Sequence, residues 1–218
     1  MGSITRSLAN NITTSGVISA SGITNDSVSA VTSFANASGG TLILLSTQTA
    51  SNSATISFTT GLDSTYDEYQ FHFISVRPTV DVTYFGFQGS TNGGSTYGVT
   101  TTGSFFEGVH DEADTATALT YRTDSDIAQA TTTIPLFRYA GGDADQGHSG
   151  TLTIFNPSST TYVKHFIATV NVSTSGDFSQ NSFIAGYMNT TSAINAIKFS
   201  NDTGNFDGTI KLYGVVKS

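Results

Sequence analysis

The sequence predicts an all-β protein: a jelly-roll-type antiparallel β-sandwich over residues 41–218, preceded by an extended N-terminal arm over residues 1–40. Three observations predict it. Short runs of β-branched and aromatic residues follow one another from Thr41 onward, separated by turns rich in Gly, Ser and Asn. No stretch of ten residues carries a capped helical apolar stripe. Fifteen Phe and nine Tyr supply core material, each burying roughly 150–250 Å². At 218 residues the chain holds one large all-β domain plus an appendage.

The arm comes first. Residues 1–40 are mostly Ser, Thr, Asn, Gly and Ala, with Arg6 and Asp26 as the charges and no proline. Isolated apolar residues (Ile4, Leu8, Ile12, Val17, Ile18, Ile23, Val28, Val31, Phe34) run along it. Ordering a backbone costs about 1–2 kcal/mol per residue, so this segment cannot build a core alone. Yet it is less charged and richer in β-branched residues than a disordered tail. The expectation is an arm that orders against copies of itself or a partner. Where such copies or a partner meet it, burial at about 25 cal/mol per Å² offsets chain ordering. Ala37-Ser38-Gly39-Gly40 marks the boundary.

Strand signals follow. Thr41–Gln48 and Ala54–Thr59 bracket an expected polar turn, Ala50–Ser53. Tyr69, Phe71 and Phe73 alternate with Gln70 and His72, the period of a half-buried strand. Val82–Gln88 leads into the turn Gly89–Ser95. Tyr97–Thr102 and Phe105–Val109 are expected as two strands, the second ending in an acidic loop, His110–Asp114. Ala118–Arg122 and Thr133–Arg138 are followed by a polar loop, Gly141–Gly150. Thr151–Phe155 stops at Asn156-Pro157-Ser158. In Val163–Val172 the residues Phe166, Ala168, Val170 and Val172 share a face. Phe178–Met188, Ala193–Phe199 and Gly208–Lys217 complete the set; in the last, Ile210 and Leu212 oppose Lys211, Tyr213 and Lys217. Some ten short antiparallel strands of this kind suit a double-sheet sandwich.

Composition excludes several function classes. Charged residues are 11% of the chain and the net charge is –8. The eight basic residues (Arg6, Arg77, Arg122, Arg138, Lys164, Lys198, Lys211, Lys217) are scattered, so no phosphate-neutralising patch is expected and nucleic acid is not a partner. The absence of cysteine removes disulfides, thiolate chemistry and Cys-ligated zinc. The longest apolar run, Leu42-Ile43-Leu44-Leu45, is too short for membrane insertion, and no basic, apolar signal peptide is visible. A soluble protein made in a cytoplasm is expected.

Residues with chemical potential are few. His110, Asp111, Glu112 and Asp114 place oxygen ligands close together, as Ca²⁺ requires, and Asp143, Asp145 and His148 form a second cluster. Neither follows an EF-hand loop, and solvated loops are the expectation. The four histidines (His72, His110, His148, His165) lack metal-ligand spacing and read as polar groups on a sheet surface or at a subunit contact. Glu68, Glu107 and Glu112 are the glutamates from which a glycosidase pair would be drawn. No Gly-x-Ser-x-Gly elbow is present. Asn-x-Ser/Thr triplets at Asn11, Asn36, Asn171, Asn189 and Asn201 are frequent by composition alone. Exposed Tyr and Asn offer stacking and hydrogen bonding to sugars or protein. The sequence assigns no catalytic, cofactor or metal residue, and no cofactor.

Several phrases carry a resemblance: MGSITRSLANNITTSGV, TLILLSTQTASNSATISFTTGLDSTYDEYQFHF, FGFQGSTNGGSTYGVT, FNPSSTTYVKHF and FDGTIKLYGVVK. Together they resemble tail-fibre-like and virion structural proteins of marine and cyanobacterial tailed bacteriophages. The resemblance implies a compact β-sandwich displayed on a virion, usually as a homotrimer, docked to tail or capsid proteins by the N-terminal arm. It implies synthesis in the host bacterial cytoplasm and contact with a host surface glycan or protein. It transfers no functional residue. The expected function is a surface-displayed tail-fibre or receptor-binding protein; capsid decoration or a head fibre is the alternative. A polysaccharide-degrading virion enzyme and a lectin-like sugar binder unconnected to a virus are the readings from other classes.

Overall fold

The computed structural model describes residues 41–216; the arm, residues 1–40, and Lys217 and Ser218 lie outside them. The described residues form thirteen strands and no helix. They are β1 (Leu42–Ser53), β2 (Thr55–Phe58), β3 (Glu68–Pro78), β4 (Thr83–Ser90), β5 (Thr101–Asp111), β6 (Thr117–Tyr121) and β7 (Ile127–Ala130). After them come β8 (Ile134–Ala140), β9 (His148–Phe155), β10 (Lys164–Ser173), β11 (Phe178–Met188), β12 (Ala196–Asn201) and β13 (Phe206–Val215). No helix among them is long and apolar enough to cross a membrane.

All strand pairs are antiparallel. The larger sheet has nine strands, ordered β1-β13-β3-β9-β10-β11-β5-β6 with β7 also on β5; the smaller is β2-β12-β4-β8. The chain crosses between sheets at β1→β2, β2→β3 and β3→β4, and again at β8→β9 and β12→β13. Between β4 and β8 it adds β5, β6 and β7 to the larger sheet, and between β9 and β12 it adds β10 and β11.

The sheets form a β-sandwich closed on aromatic rings. Phe199 of β12 meets Phe71 and Phe73 of β3 at centroid distances of 5.1 and 5.3 Å. Phe85 of β4 meets Phe206 of β13 at 5.2 Å, and Phe87 meets Phe166 of β10 at 5.2 Å. Most of these contacts are edge-to-face, the arrangement the ring quadrupole favours. The alternation expected for β3, β10 and β13 is present: Tyr69, Phe71 and Phe73, then Phe166, Ala168, Val170 and Val172, then Ile210 and Leu212, are all buried.

Four expectations are corrected. Ala50–Ser53 is not a turn: β1 runs through it, with a register irregularity between Ala50 and Ser53 and Asn52 at φ 49°. A bulge uses turn-type residues without ending the strand. The segments Tyr97–Thr102 and Phe105–Val109 are not two strands, since β5 is continuous from Thr101 to Asp111 while Tyr97–Thr100 is irregular. Gly89 and Ser90 belong to β4 rather than to the following turn. Finally, β7 was not anticipated, because four residues, IAQA, carry too little pattern.

Candidate functional site

The two insertions, β5-β6-β7 between β4 and β8 and β10-β11 between β9 and β12, converge near the end of β8. The turn joining β10 to β11 is tied there by an isolated bridge between Ala140 and Thr174, by Gly141 N–H on the Ser173 carbonyl at 3.1 Å, and by Ser175 N–H on the Tyr139 carbonyl at 3.1 Å. Between this turn, β5 and the segment after β6 lies a cavity of about 320 Å³. Glu107, Arg122, Tyr139, Thr174, Phe178 and Gln180 are among its walls.

Glu107 points to the inner side of β5 and is 1% exposed. One carboxylate oxygen, Oε1, accepts from Arg122 Nε at 2.6 Å and also takes the Arg122 Nη2 contact. The other, Oε2, is buried with no hydrogen-bond partner among the described residues. The β5–β6 pairing sets Glu107 opposite Thr120, which brings Arg122 back over it. Gln180, also 1% exposed, donates from Nε2 to Ser182 Oγ at 3.0 Å.

Tyr139 stands at the mouth, 38% exposed, with φ 53°. Left-handed backbone is strained for an aromatic residue and persists only where the surroundings fix it. Its ring covers the Arg138 guanidinium at 4.3 Å. Arg138 is itself buried, pairs with Asp124 and donates to Ser125 Oγ at 3.1 Å. The hydrogen bond that Arg138 donates to Asp124 holds the Asp124 carboxyl below its ordinary range. Burial, together with the Tyr139 bond, pushes Tyr84 up to about 12, while the same bond and Arg138 lower Tyr139.

The acidic segment borders a second cavity of about 390 Å³, lined by His110, Asp111 and Glu112 with Gly147, Asn171 and Ser179. The Asp111 and Asp114 carboxylates are used locally. Asp111 accepts from Thr115 Oγ1 at 2.5 Å, Thr115 N at 2.9 Å and Ala116 N at 2.7 Å, which lowers its pKa and closes the turn to β6. His110 reaches the Asp111 carbonyl at 2.7 Å and Asp114 at 3.3 Å. No group of three or more metal-ligating side chains occurs among the described residues.

The histidines divide. His165 is exposed; His72 is half-buried on the outer face of β3, 4.7 Å from the Tyr213 ring. His148 corrects the surface reading: it is fully buried. Its Nε2–H donates to the Gly141 carbonyl at 3.1 Å, and Nδ1 accepts from Ser173 N–H at 3.3 Å. Both nitrogens are thus satisfied by the neutral ring.

The glutamates are not brought together as Glu68 and Glu107: β3 and β5 are four strand spacings apart in the sheet, about 19 Å. Glu68 accepts from Gln70 at 2.8 Å. Among the Asn triplets, Asn171, Asn189 and Asn201 spend their amides on Ser179, Gln129 and the Asn205 carbonyl; Asn11 and Asn36 lie outside the described residues. Sequence reasoning singled out Glu107 and missed Arg122, Tyr139 and Gln180, whose convergence depends on strand register.

A different surface lies on the outer face of the strands added by the insertions. A single row crosses them: Thr169 of β10, Phe183 of β11, Phe106 of β5 and Tyr121 of β6. Phe106 and Phe183 stack at 4.9 Å with 11° between planes. Ile167 and Leu119 flank the row, 54% and 78% exposed. Across the same face, the β1-β13-β3-β9 half is mixed: Thr47, Lys211, Gln70, His72, Thr151 and Thr153 stand there beside Leu44, Ile74, Tyr213 and Phe155.

The chain matches no family model, no curated protein and no solved structure.

Proposed function

We propose that the chain is a structural component of a bacteriophage virion: a homotrimeric, surface-displayed tail-fibre-like protein, anchored by residues 1–40 and contacting the host surface. The observation that carries this reading is the apolar row on the outer face of β10-β11-β5-β6. Contiguous exposed apolar surface of this kind marks an interaction site. Copies of the chain, each at net charge –8, meet there with no charged side chain in the row. The resemblance of the chain's phrases to virion proteins supports the virion location.

The sandwich itself reads as a jelly roll, with β1-β13-β3-β9 facing β2-β12-β4-β8 and two insertions widening one sheet. The repeated crossings between sheets support that reading. Such a body suits display, because its loops project while its core needs neither disulfide nor metal.

Light scattering of the full chain tests the assembly: a trimer is expected. The double variant Phe106→Asp/Ile167→Asp, altered only at exposed positions, is expected to scatter as a folded monomer. A wild-type monomer at micromolar concentration would overturn the assembly reading. Removing residues 1–40 is expected to abolish incorporation into particles while leaving residues 41–218 folded; a truncated chain that still incorporates shows that the arm is not the anchor.

A further inference from the structure

We infer that the cavity between β5, β11 and the end of β8 binds one neutral hexopyranose unit, with the Glu107 carboxylate as hydrogen-bond acceptor and the Tyr139 ring as stacking platform. The inference deepens the proposed host contact and rests on it only for the source of the sugar; the site is argued from the cavity itself.

Glu107 sets the ligand chemistry. Its Oε1 is occupied by Arg122 through two contacts, while the buried Oε2 has none. A buried acceptor without a donor is costly, and a ligand hydroxyl reaching it would remove that cost. The need is for a donor and not for positive charge, because Arg122 already neutralises the carboxylate. Metal ligation is not favoured either, since no second carboxylate or histidine shares this wall. Arg122 and Gln180 bring N–H donors to the same space. A ring bearing adjacent hydroxyls, each able to donate and accept, fits this mixture.

The apolar walls fit the rest of a sugar. Phe178 and Tyr139 contribute aromatic rings to the lining and Val109 an aliphatic side chain, apolar surface suited to the C–H groups of a pyranose. At about 320 Å³ the cavity lies at the small end of ligand sites, which suits one ring and not a long oligosaccharide. The net charge of –8 disfavours uronic and sialic acids in favour of neutral hexoses. The platform is preorganised: Tyr139 is locked at φ 53° by the Ser175 N–H bond and the Ala140–Thr174 bridge. Strained residues held in this way gather at functional sites.

The test is saturation-transfer NMR on the isolated full chain with the methyl glycosides of glucose, galactose, mannose and N-acetylglucosamine, each at about 10 mM, well above a millimolar Kd. At least one is expected to receive saturation, with methyl glucuronide weaker than its neutral counterpart. Glu107→Gln, which replaces the free acceptor by an amide, is expected to weaken binding about tenfold. Tyr139→Ala, at an exposed side chain, is expected to abolish it while circular dichroism shows an unchanged fold, so the result does not depend on the Glu107 variant folding. Absence of saturation with all four glycosides, or binding unchanged by Tyr139→Ala, would overturn the inference. Particle incorporation reads the virion role separately, so either idea can fail without the other.

Discussion

Burial holds His148 neutral and pushes its pKa down to about 4, whereas an exposed imidazole titrates near 6.5. Between those values the unfolded chain takes up a proton that the folded chain refuses. His148 therefore leaves stability untouched above pH 6.5 and removes it as pH falls toward 4, by about 3 kcal/mol in full. The lowered carboxyls of Asp63, Asp111, Asp124 and Asp207 stabilise above the ordinary carboxylate range and lose that contribution only at lower pH. The urea midpoint is thus expected to hold level from pH 8 to about 7 and to decline between pH 6.5 and 4. His148→Gln is expected to flatten that decline while lowering the midpoint at pH 7. A wild-type midpoint level down to pH 4.5 would contradict the account. Elsewhere in the core, Phe199 contacts five rings, Phe58, Phe71, Phe73, Phe85 and Phe87. Phe199→Ala is expected to cost about 3–5 kcal/mol in equilibrium unfolding.

The strands added by the insertions depend on small residues where they cross the core. Gly186 of β11 lies opposite Gly103 of β5. A Cβ on Gly186 would come within 2.4 Å of the Thr102 carbonyl oxygen and 2.8 Å of the Phe166 ring. The glycine pair thus opens the slot in which Phe166 reaches Phe87 of the opposite sheet. Gly186→Val is expected to destabilise by about 1–3 kcal/mol and to lower the melting temperature measured by circular dichroism. The sequence made such elements readable unequally. β3, β10 and β13 announced themselves because each buries one face along most of its length, so alternation survives in the residue string. The bulge in β1 imitates a turn in composition, and the break assigned inside β5 came from Gly103-Ser104, which pack against β11. The cavity was the least readable part. Glu107 stood out as one of three glutamates, but Arg122, Tyr139 and Gln180 reach it from three other segments, and only register and the bridge to β8 bring them there.

Taken as one molecule, the protein carries an apolar row over β10-β11-β5-β6 on a sheet face whose other half, β1-β13-β3-β9, mixes hydrogen-bonding side chains with exposed Leu44, Ile74 and Phe155. A surface of that kind is expected to limit solubility most where charge repulsion vanishes. Turbidity should peak near the isoelectric point, about 4.6, and the Phe106→Asp/Ile167→Asp variant should reduce that peak. The pairing of β1 with β13 has another consequence, for synthesis. Among the described strands β13 is the sheet neighbour of β1, and it separates β1 from β3. Roughly 150 residues lie between Ser53 and Phe206, which a ribosome adding about 5–20 residues per second needs about 8–30 s to make. Throughout that interval the segment Leu42-Ile43-Leu44-Leu45 waits without its strand partner, an open edge on a nascent chain. Chains released before Phe206 are expected to collect in the insoluble fraction, and complete chains to depend on whatever shields that edge until the last strand arrives.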